Sequence, residues 1–384
     1  MPSYGRINVS SGRPLESLAH YSRALRVADV VLQSGTTAID RDGNVLGENV
    51  SDQIDAILKL ARESMGAAEG VFENVVRARL YVTGSDHLEE AGRAFDLAFA
   101  DIGPAVTVVP ICQLARPAQL IEIELEAVDG EAERISSTET TAIGSAAVSS
   151  GGRILIGGIT GRFGSITEQT NFALNSVRQL VARAGGAIED LVGLKIFTTE
   201  LPRSAEIFSE VGVVLARVKP TITLIGIPPL AESNVGLIID AEAVIGAGAI
   251  RRDRPHLGLP MFSESVLVND QIYLSNVSPI NQSGSVLYPG DWAAQIDHCI
   301  GNLKSVLKQL DSSLDDVIVR RYFTCVGADM NRIYGKGPEW FAANRPTALG
   351  CRITGHLQSD ALVSVDAHVV RRAGENIDWR TIEV

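Results

Sequence analysis

Four landmarks recur three times along this 384-residue chain, each at offsets of 116 and then 126 residues. An acidic residue stands at Glu124, Asp240 and Asp366, in "LIEIELEAV", "LIIDAEAV" and "LVSVDAHVV". A glutamine opens a helical pattern at Gln53, Gln169 and Gln295. A basic residue falls at Arg79, Lys195 and Arg321, in "VVRARLYVT", "LVGLKIFTT" and "VIVRRYFTC". A proline precedes a further strand at Pro104, Pro220 and Pro346, in "GPAVTVV", "KPTITLI" and "RPTALGC". Chance does not hold four landmarks in one register, so the chain is a threefold repeat of a unit of about 120 residues.

Within each copy the glutamine helix carries one apolar stripe. It runs Ile57, Leu58, Ala61 and Met65, then Ala173, Leu174, Val177 and Val181, then Cys299, Ile300, Leu303 and Leu307. That spacing predicts an amphipathic helix with one buried face. Ahead of it, "AIDRDGNVLGE" and "PINQSGSVLYPG" read as hairpin turns, and the middle copy has a clipped "GRFGS". A second helix follows the basic strand, around "HLEEAGRAFDLAFADI", with Phe99 matched by Leu215 and Phe341. The unit is β-β-α-β-α-β-β, an α+β layer in which a mostly antiparallel sheet is covered on one face by two helices. The expected units are 1–130, 131–250 and 251–384, with linkers at 129–144 and 246–260 and a polar tail from Arg371 that is expected to pack loosely.

Composition excludes several function classes. Net charge is −12 with no dense Lys/Arg run, which argues against nucleic acid as the main partner. No apolar run reaches membrane-spanning length, and the first residues show no basic-then-apolar leader, so a cytoplasmic protein is expected. Four cysteines without a CxxC, and six histidines without ligand spacing, point to neither a disulfide framework nor a metal site. "GGRILIGGITG" lacks both the Lys-Ser/Thr of a P-loop and a following dinucleotide fingerprint, so no cofactor is expected.

"VVLQSGTTAIDRDGNV", the glutamine helix, "VVRARLYVT" and "GPAVTVVPICQLARPAQLIEIELEA" resemble the RidA/YjgF family. The likeness is closest over about 100 residues of the first copy, and the other two join it through the repeat register. Members of that family are usually homotrimers with sheets facing inward and sites in the clefts between subunits. Three fused copies therefore imply three RidA/YjgF-like units about a pseudo-threefold axis, a pseudo-trimer in one chain, with a further homo-oligomer left open. The resemblance implies hydrolysis of reactive enamines and imines. In the family an arginine binds the substrate carboxylate, a glutamate holds the attacking water, and a tyrosine and a Ser-Gly segment line the pocket. Glu122 matches the glutamate, Ser34 and Gly35 the Ser-Gly, and Tyr21 the tyrosine. The arginine's position, two past the proline, holds Val106, Ile222 and Ala348. The glutamate becomes Ile238 and Ser364 in the later copies, a pattern similar to the Rid subgroups that lack the arginine.

The candidate catalytic set is Glu122, Tyr21 and Ser34, and the candidate substrate-binding set is Gly35, Arg116, Cys112, Cys351 and Arg352. Glu122 beside Glu124 is expected to have a raised pKa and to act as a general base; the plain alternative is a solvated strand face. Arg116 is a possible substitute carboxylate clamp, or simply a surface arginine. Cys351 next to Arg352 is a possible activated thiol, although inert burial is common for cysteine and is expected of Cys299 on its apolar stripe. The leading reading is a small-molecule deaminase or hydrolase acting on an enamine, imine or related C–N bond. A non-catalytic carboxylate-binding or scaffold protein is a second. A ring-opening cyclic-amide hydrolase built on three Ser/Lys dyads is a third, but Gly157 and the arginines break that pattern. Finally, the basic and acidic triplets are expected to pair across strands within each unit, as Arg79–Glu124, Lys195–Asp240 and Arg321–Asp366.

Overall fold

The computed structural model describes residues 4–136, 144–215, 217–232, 234–256 and 259–383. Residues 137–143 of the first linker, 257–258 of the second and the final residue of the tail lie outside that set. Three mixed sheets follow the three repeats. The first has the order Ile377–Thr381, Arg6–Ser10, Ala24–Val27, Val30–Thr36, Ile121–Val128, Val75–Thr83, Ala105–Ile111. The second runs Gly355–His356, Thr221–Gly226, Leu191–Thr198, Leu237–Val244, Arg153–Ile159, Ala147–Ser150, Glu133–Ile135. The third runs Arg252–Pro255, Ser263–Val268, Gln271–Leu274, Val363–Val370, Val317–Thr324, Thr347–Arg352. In each, the basic strand pairs antiparallel with the acidic strand and parallel with the strand after the proline, to which a helical crossover returns the chain.

The long helices are Val50–Ala67, Ile166–Arg183 and Trp292–Gln309. Asn49, Ser165 and Asp291 cap them by accepting first-turn N–H groups, and Ser165 forms a full capping box with Glu168. Each predicted stripe is buried against its own sheet. The landmark glutamine has a structural reason. Gln53 donates to the Ala118 carbonyl at 2.9 Å and accepts from the Leu120 N–H at 2.9 Å. Gln169 does the same with Asn234 and Gly236, and Gln295 with Asp360 and Leu362. In every copy it anchors the loop that feeds the acidic strand, and so fixes the strand that carries position 122.

The sheets close into a ring. The Pro104 carbonyl meets the Ser145 N–H, the Ile222 carbonyl meets the Asn276 N–H, and the Ala348 N–H donates to Ser34 Oγ, so each unit joins the next and the third returns to the first. The tail, expected to pack loosely, instead forms a strand parallel to Arg6–Ser10. An exposed sheet edge with open N–H and C=O groups gives a polar segment reason to order.

The predicted ion pairs require a correction. Arg79 and Glu124, Lys195 and Asp240, and Arg321 and Asp366 do stand directly opposite in register. Their side chains nevertheless extend past their own strand partners into the facing sheet. Arg79 Nε and Nη2 grip Asp240 at 2.7 and 2.9 Å, Lys195 Nζ reaches Asp366 at 2.7 Å, and Arg321 Nε reaches Glu124 at 2.8 Å. Only Arg321–Asp366, at 2.8 Å, also closes within a unit. The result is a buried head-to-tail ring linking unit 1 to 2, 2 to 3 and 3 to 1. One layer along the axis, Arg77 and Arg153 each bond both Glu126 and Glu242. A third layer is apolar: Tyr81, Phe197 and Phe323 with Val109, Ile225 and Cys351.

Candidate functional site

Beside the axis, the seams between units open into three clefts at equivalent positions, and they have diverged. The seam of units 1 and 3 holds a cavity of about 380 Å³ lined by Tyr21, Arg23, Gly35, Arg116, Glu122 and, from the third unit, Tyr334, Ala348 and Gly350. The seam of units 1 and 2 holds one of about 390 Å³ with Ile238 at the position of Glu122. At the seam of units 2 and 3 only about 30 Å³ remains, because Phe208, His256, Leu259, His356 and Leu357 fill it.

Glu122 is therefore not a solvated strand residue. It is only 7% exposed, and among the described residues it makes no hydrogen bond or ion pair. Burial, then the neighbouring charge of Glu124, pushes its pKa from 4.5 up to about 8, against the pull of Arg23. Two glycines make the space for this arrangement. A Cβ on Gly35 would stand 2.4 Å from Glu122 Oε1, and one on Gly350 would stand 2.2 Å from the Tyr334 hydroxyl. The carboxyl and the phenol thus each lie over a glycine, one contributed by each unit.

Arg23 is the residue that sequence reasoning missed. It is buried, donates from Nη2 to the Tyr21 hydroxyl at 2.7 Å, and pairs through Nε with Glu16 at 2.9 Å. Glu16 is held below the usual carboxylate range by Arg23 and the hydroxyls of Ser11 and Ser10, which outweigh its burial. Because Tyr21 accepts from Arg23, its own proton is left to donate into the cleft, and burial pushes its pKa up to about 12. The signal for Arg23 was its alternation with Tyr21 on one extended segment, two residues apart. Arg116 is exposed and lies against Gly43 at the mouth, where Arg13 adds a second guanidinium whose Nη1 is buried without a partner.

The remaining candidates lie elsewhere. Ser34 is fully buried; its hydroxyl donates to the Ser22 carbonyl at 2.5 Å and accepts from the Ala348 N–H at 3.0 Å. Ser275 makes the same clip to Ser263 and Ile222, and at Gly157 the backbone of Val106 comes so close that a Cβ would meet its oxygen at 2.6 Å. The Ser34 hydroxyl thus clips the seam to unit 3, beside Gly35, whose nearest unit 3 neighbour is Leu349. Cys351 belongs to the apolar axial layer, where burial drives its thiol pKa well up. Cys112 and Arg352 knit the ends of units 1 and 3: the Cys112 N–H donates to the Arg352 carbonyl at 2.8 Å, and Arg352 Nη1 to Gln113 Oε1 at 2.8 Å. None of these four lines the cavity of Glu122. Among the described residues no cluster of three or more metal-binding side chains occurs, and no helix is long and apolar enough to cross a membrane.

The fold defines a one-chain pseudo-trimer of α+β units with a cavity at a seam. The sequence profile of the family described as Endoribonuclease L-PSP matches residues 12–129 and 257–371, more than half of the chain. The chain belongs to that family, the RidA/YjgF family, in a tandem form. Over 103 residues it is 33% identical to the 3-aminoacrylate deaminase RutC of Acinetobacter baylyi, covering 26% of this chain and 79% of that protein. It is 34% identical to Rv2704 of Mycobacterium tuberculosis, a member of the YjgF/YER057c/UK114 family, over 32% of this chain and 98% of that one, with a TM-score of 0.30. A chorismatase crystal structure aligns with 78% of this chain and 93% of its own, at 16% identity and a TM-score of 0.57, a likeness of overall fold.

Proposed function

We propose that the chain is a hydrolase that adds water to an enamine or imine of a carboxylate-bearing small molecule, in the cleft between units 1 and 3. One observation carries this reading: Glu122 is a buried, unpartnered carboxyl lining an open cavity. With a pKa of about 8 it enters the reaction protonated at neutral pH. It donates that proton to the β-carbon of the enamine as the nitrogen lone pair forms the C=N bond of an iminium. The carboxylate left behind takes a proton from water as the oxygen adds to the iminium carbon. The resulting carbinolamine expels ammonia and leaves a carbonyl, so that one water is consumed and one ammonia released. An imine takes the same proton from Glu122 on its nitrogen and then joins at the second step. Similarity to a 3-aminoacrylate deaminase supports this chemistry.

Arg116 and Arg13 are proposed to receive the substrate carboxylate, in place of the arginine absent at Ala348. The Tyr21 hydroxyl is proposed to orient the attacking water or the leaving nitrogen. A cavity of about 380 Å³ lies within the roughly 300–1,000 Å³ typical of sites for much larger ligands than a three-carbon enamine, so the preferred substrate is expected to be larger.

The test is ammonia release from imino acids generated in situ by an amino-acid oxidase over a range of side-chain sizes. Release well above the spontaneous rate, cut about 100-fold in Glu122→Gln, is the expected result. Thermal stabilisation by the carboxylates with no turnover of any of them would favour a non-catalytic binding protein instead.

A further inference from the structure

The seam of units 1 and 2 keeps a cavity as large as that of Glu122, about 390 Å³, although it has lost the acid. The third seam shows the other outcome open to a cleft without an acid: side chains have filled it. A cleft that is kept open and yet carries Ile238 in place of the carboxyl is suited to holding a molecule without converting it.

Its chemistry narrows the occupant. The floor is apolar, made by Leu88, Val106, Val108, Val235 and Ile238. The rim carries both signs of charge: Arg93 with Glu89 and Asp96 on one wall, and Arg162 with Glu232 on the other. The rim pairs are loose and exposed, Arg93–Glu89 at 3.3 Å and Arg162–Glu232 at 3.5 Å, so a ligand can exchange with them at little cost. Three acids against two arginines disfavour an anion. A lone cation would leave the arginines with nothing to gain. A neutral molecule bearing both charges satisfies both walls.

We propose that the cleft between units 1 and 2 is a non-catalytic binding site for a zwitterion with an apolar body, of the class of free apolar α-amino acids. The carboxylate sits at Arg162, the ammonium at Glu89 on the opposite wall, and the side chain on the Val106–Ile238 floor.

Isothermal titration with L-leucine and L-phenylalanine tests this on the full chain, with 4-methylpentanoate and leucinamide as probes that lack one charge. Saturable binding of at least one amino acid is expected, weaker by about tenfold or more for both single-charge probes. Val108→Trp, which fills the cleft, should abolish binding. Arg162→Ala, an exposed change that leaves folding intact, should weaken it about tenfold. Glu122→Gln should bind as the parent does, which separates this site from the cleft of the proposed reaction. No saturable binding up to about 10 mM would overturn the proposal, as would 4-methylpentanoate binding as well as leucine, or binding lost in Glu122→Gln but kept in Arg162→Ala.

Discussion

Replacing Glu122 by glutamine is expected to make the protein more stable at neutral pH while removing turnover. An exposed glutamate would leave stability unchanged, but Glu122 is buried without a hydrogen bond or ion pair, and the pull of Arg23 does not offset its burial. Its pKa rises from 4.5 to about 8 in the folded chain. For an acid shifted upward, the unfolded chain releases its proton first. The contribution is therefore fully present below pH 4.5 and is lost progressively as pH rises through 8. Each pH unit within that window removes about 1.4 kcal/mol, so the native state gives up about 3 kcal/mol between pH 4.5 and 7. Glutamine keeps the shape and cannot ionise, so the variant escapes this loss. The expected gain is about 3 kcal/mol at pH 7, or roughly 5 °C in melting temperature for a chain of this size, vanishing near pH 4.5. Melting curves of both proteins from pH 4.5 to 8.5 read the difference directly. A protonated-carboxyl infrared band titrating near 8 in the parent and missing in the variant assigns it to this group. Parallel melting profiles, with no growing gap above pH 5, would refute the assignment of a buried, unpartnered acid.

Gly35→Ala should push the Glu122 carboxyl out of place, because its Cβ would lie 2.4 Å from Oε1; turnover should fall at least about tenfold with the fold retained by circular dichroism. Ser34→Ala should cost about 1–3 kcal/mol in chemical denaturation, by leaving the buried Ala348 N–H unpaired, yet keep turnover within a few-fold. Arg79→Met should cost about 3–5 kcal/mol by stranding Asp240 in the buried ring, and adding Asp240→Asn should recover much of that loss. Cys351→Val, which copies Val109 of the first unit, should change stability by less than about 1.5 kcal/mol and leave turnover unaltered.

The repeat, the helix stripes and the inward-facing acidic strands were all legible, because each depends on a periodicity or an offset that a single sequence displays. The tail strand was not, since Ile377–Thr381 gains its partner from the other end of the chain. The ion pairs were half legible. Register put Arg79 opposite Glu124 correctly, but no pattern within one strand says that a guanidinium will pass its neighbour and reach a facing sheet. The same limit explains the site. Tyr21, Gly35, Arg116 and Glu122 meet in one cleft, while Arg23 went unnoticed because its role depends on a tyrosine and a glutamate that only the fold brings together. Ser34 and Cys351 looked chemical by residue type, and their positions in a seam clip and an axial layer are properties of the assembled ring.

The acidic run of Ile121–Val128 becomes intelligible once its alternate residues are read by depth along the axis. Position 124 is acidic in every copy because the ring has three cations and each needs a carboxylate from the adjoining unit. Position 126 keeps its acid in two copies, where Arg77 and Arg153 bridge Glu126 and Glu242, and becomes His368, stacked on Tyr273, in the third. Position 122 lies where the sheets part into clefts, and no neighbour in the ring requires a charge there. In a trimer of identical subunits a change at this position would alter all three clefts together. In a fused chain Glu122, Ile238 and Ser364 vary independently, while the layers beneath hold the three units in one arrangement. The buried ring thus fixes the geometry that all three seams share, while the residues above it set them apart: one cleft carries the unpaired acid Glu122, one is open with Ile238 in its place, and one is filled by Phe208, His256, Leu259, His356 and Leu357.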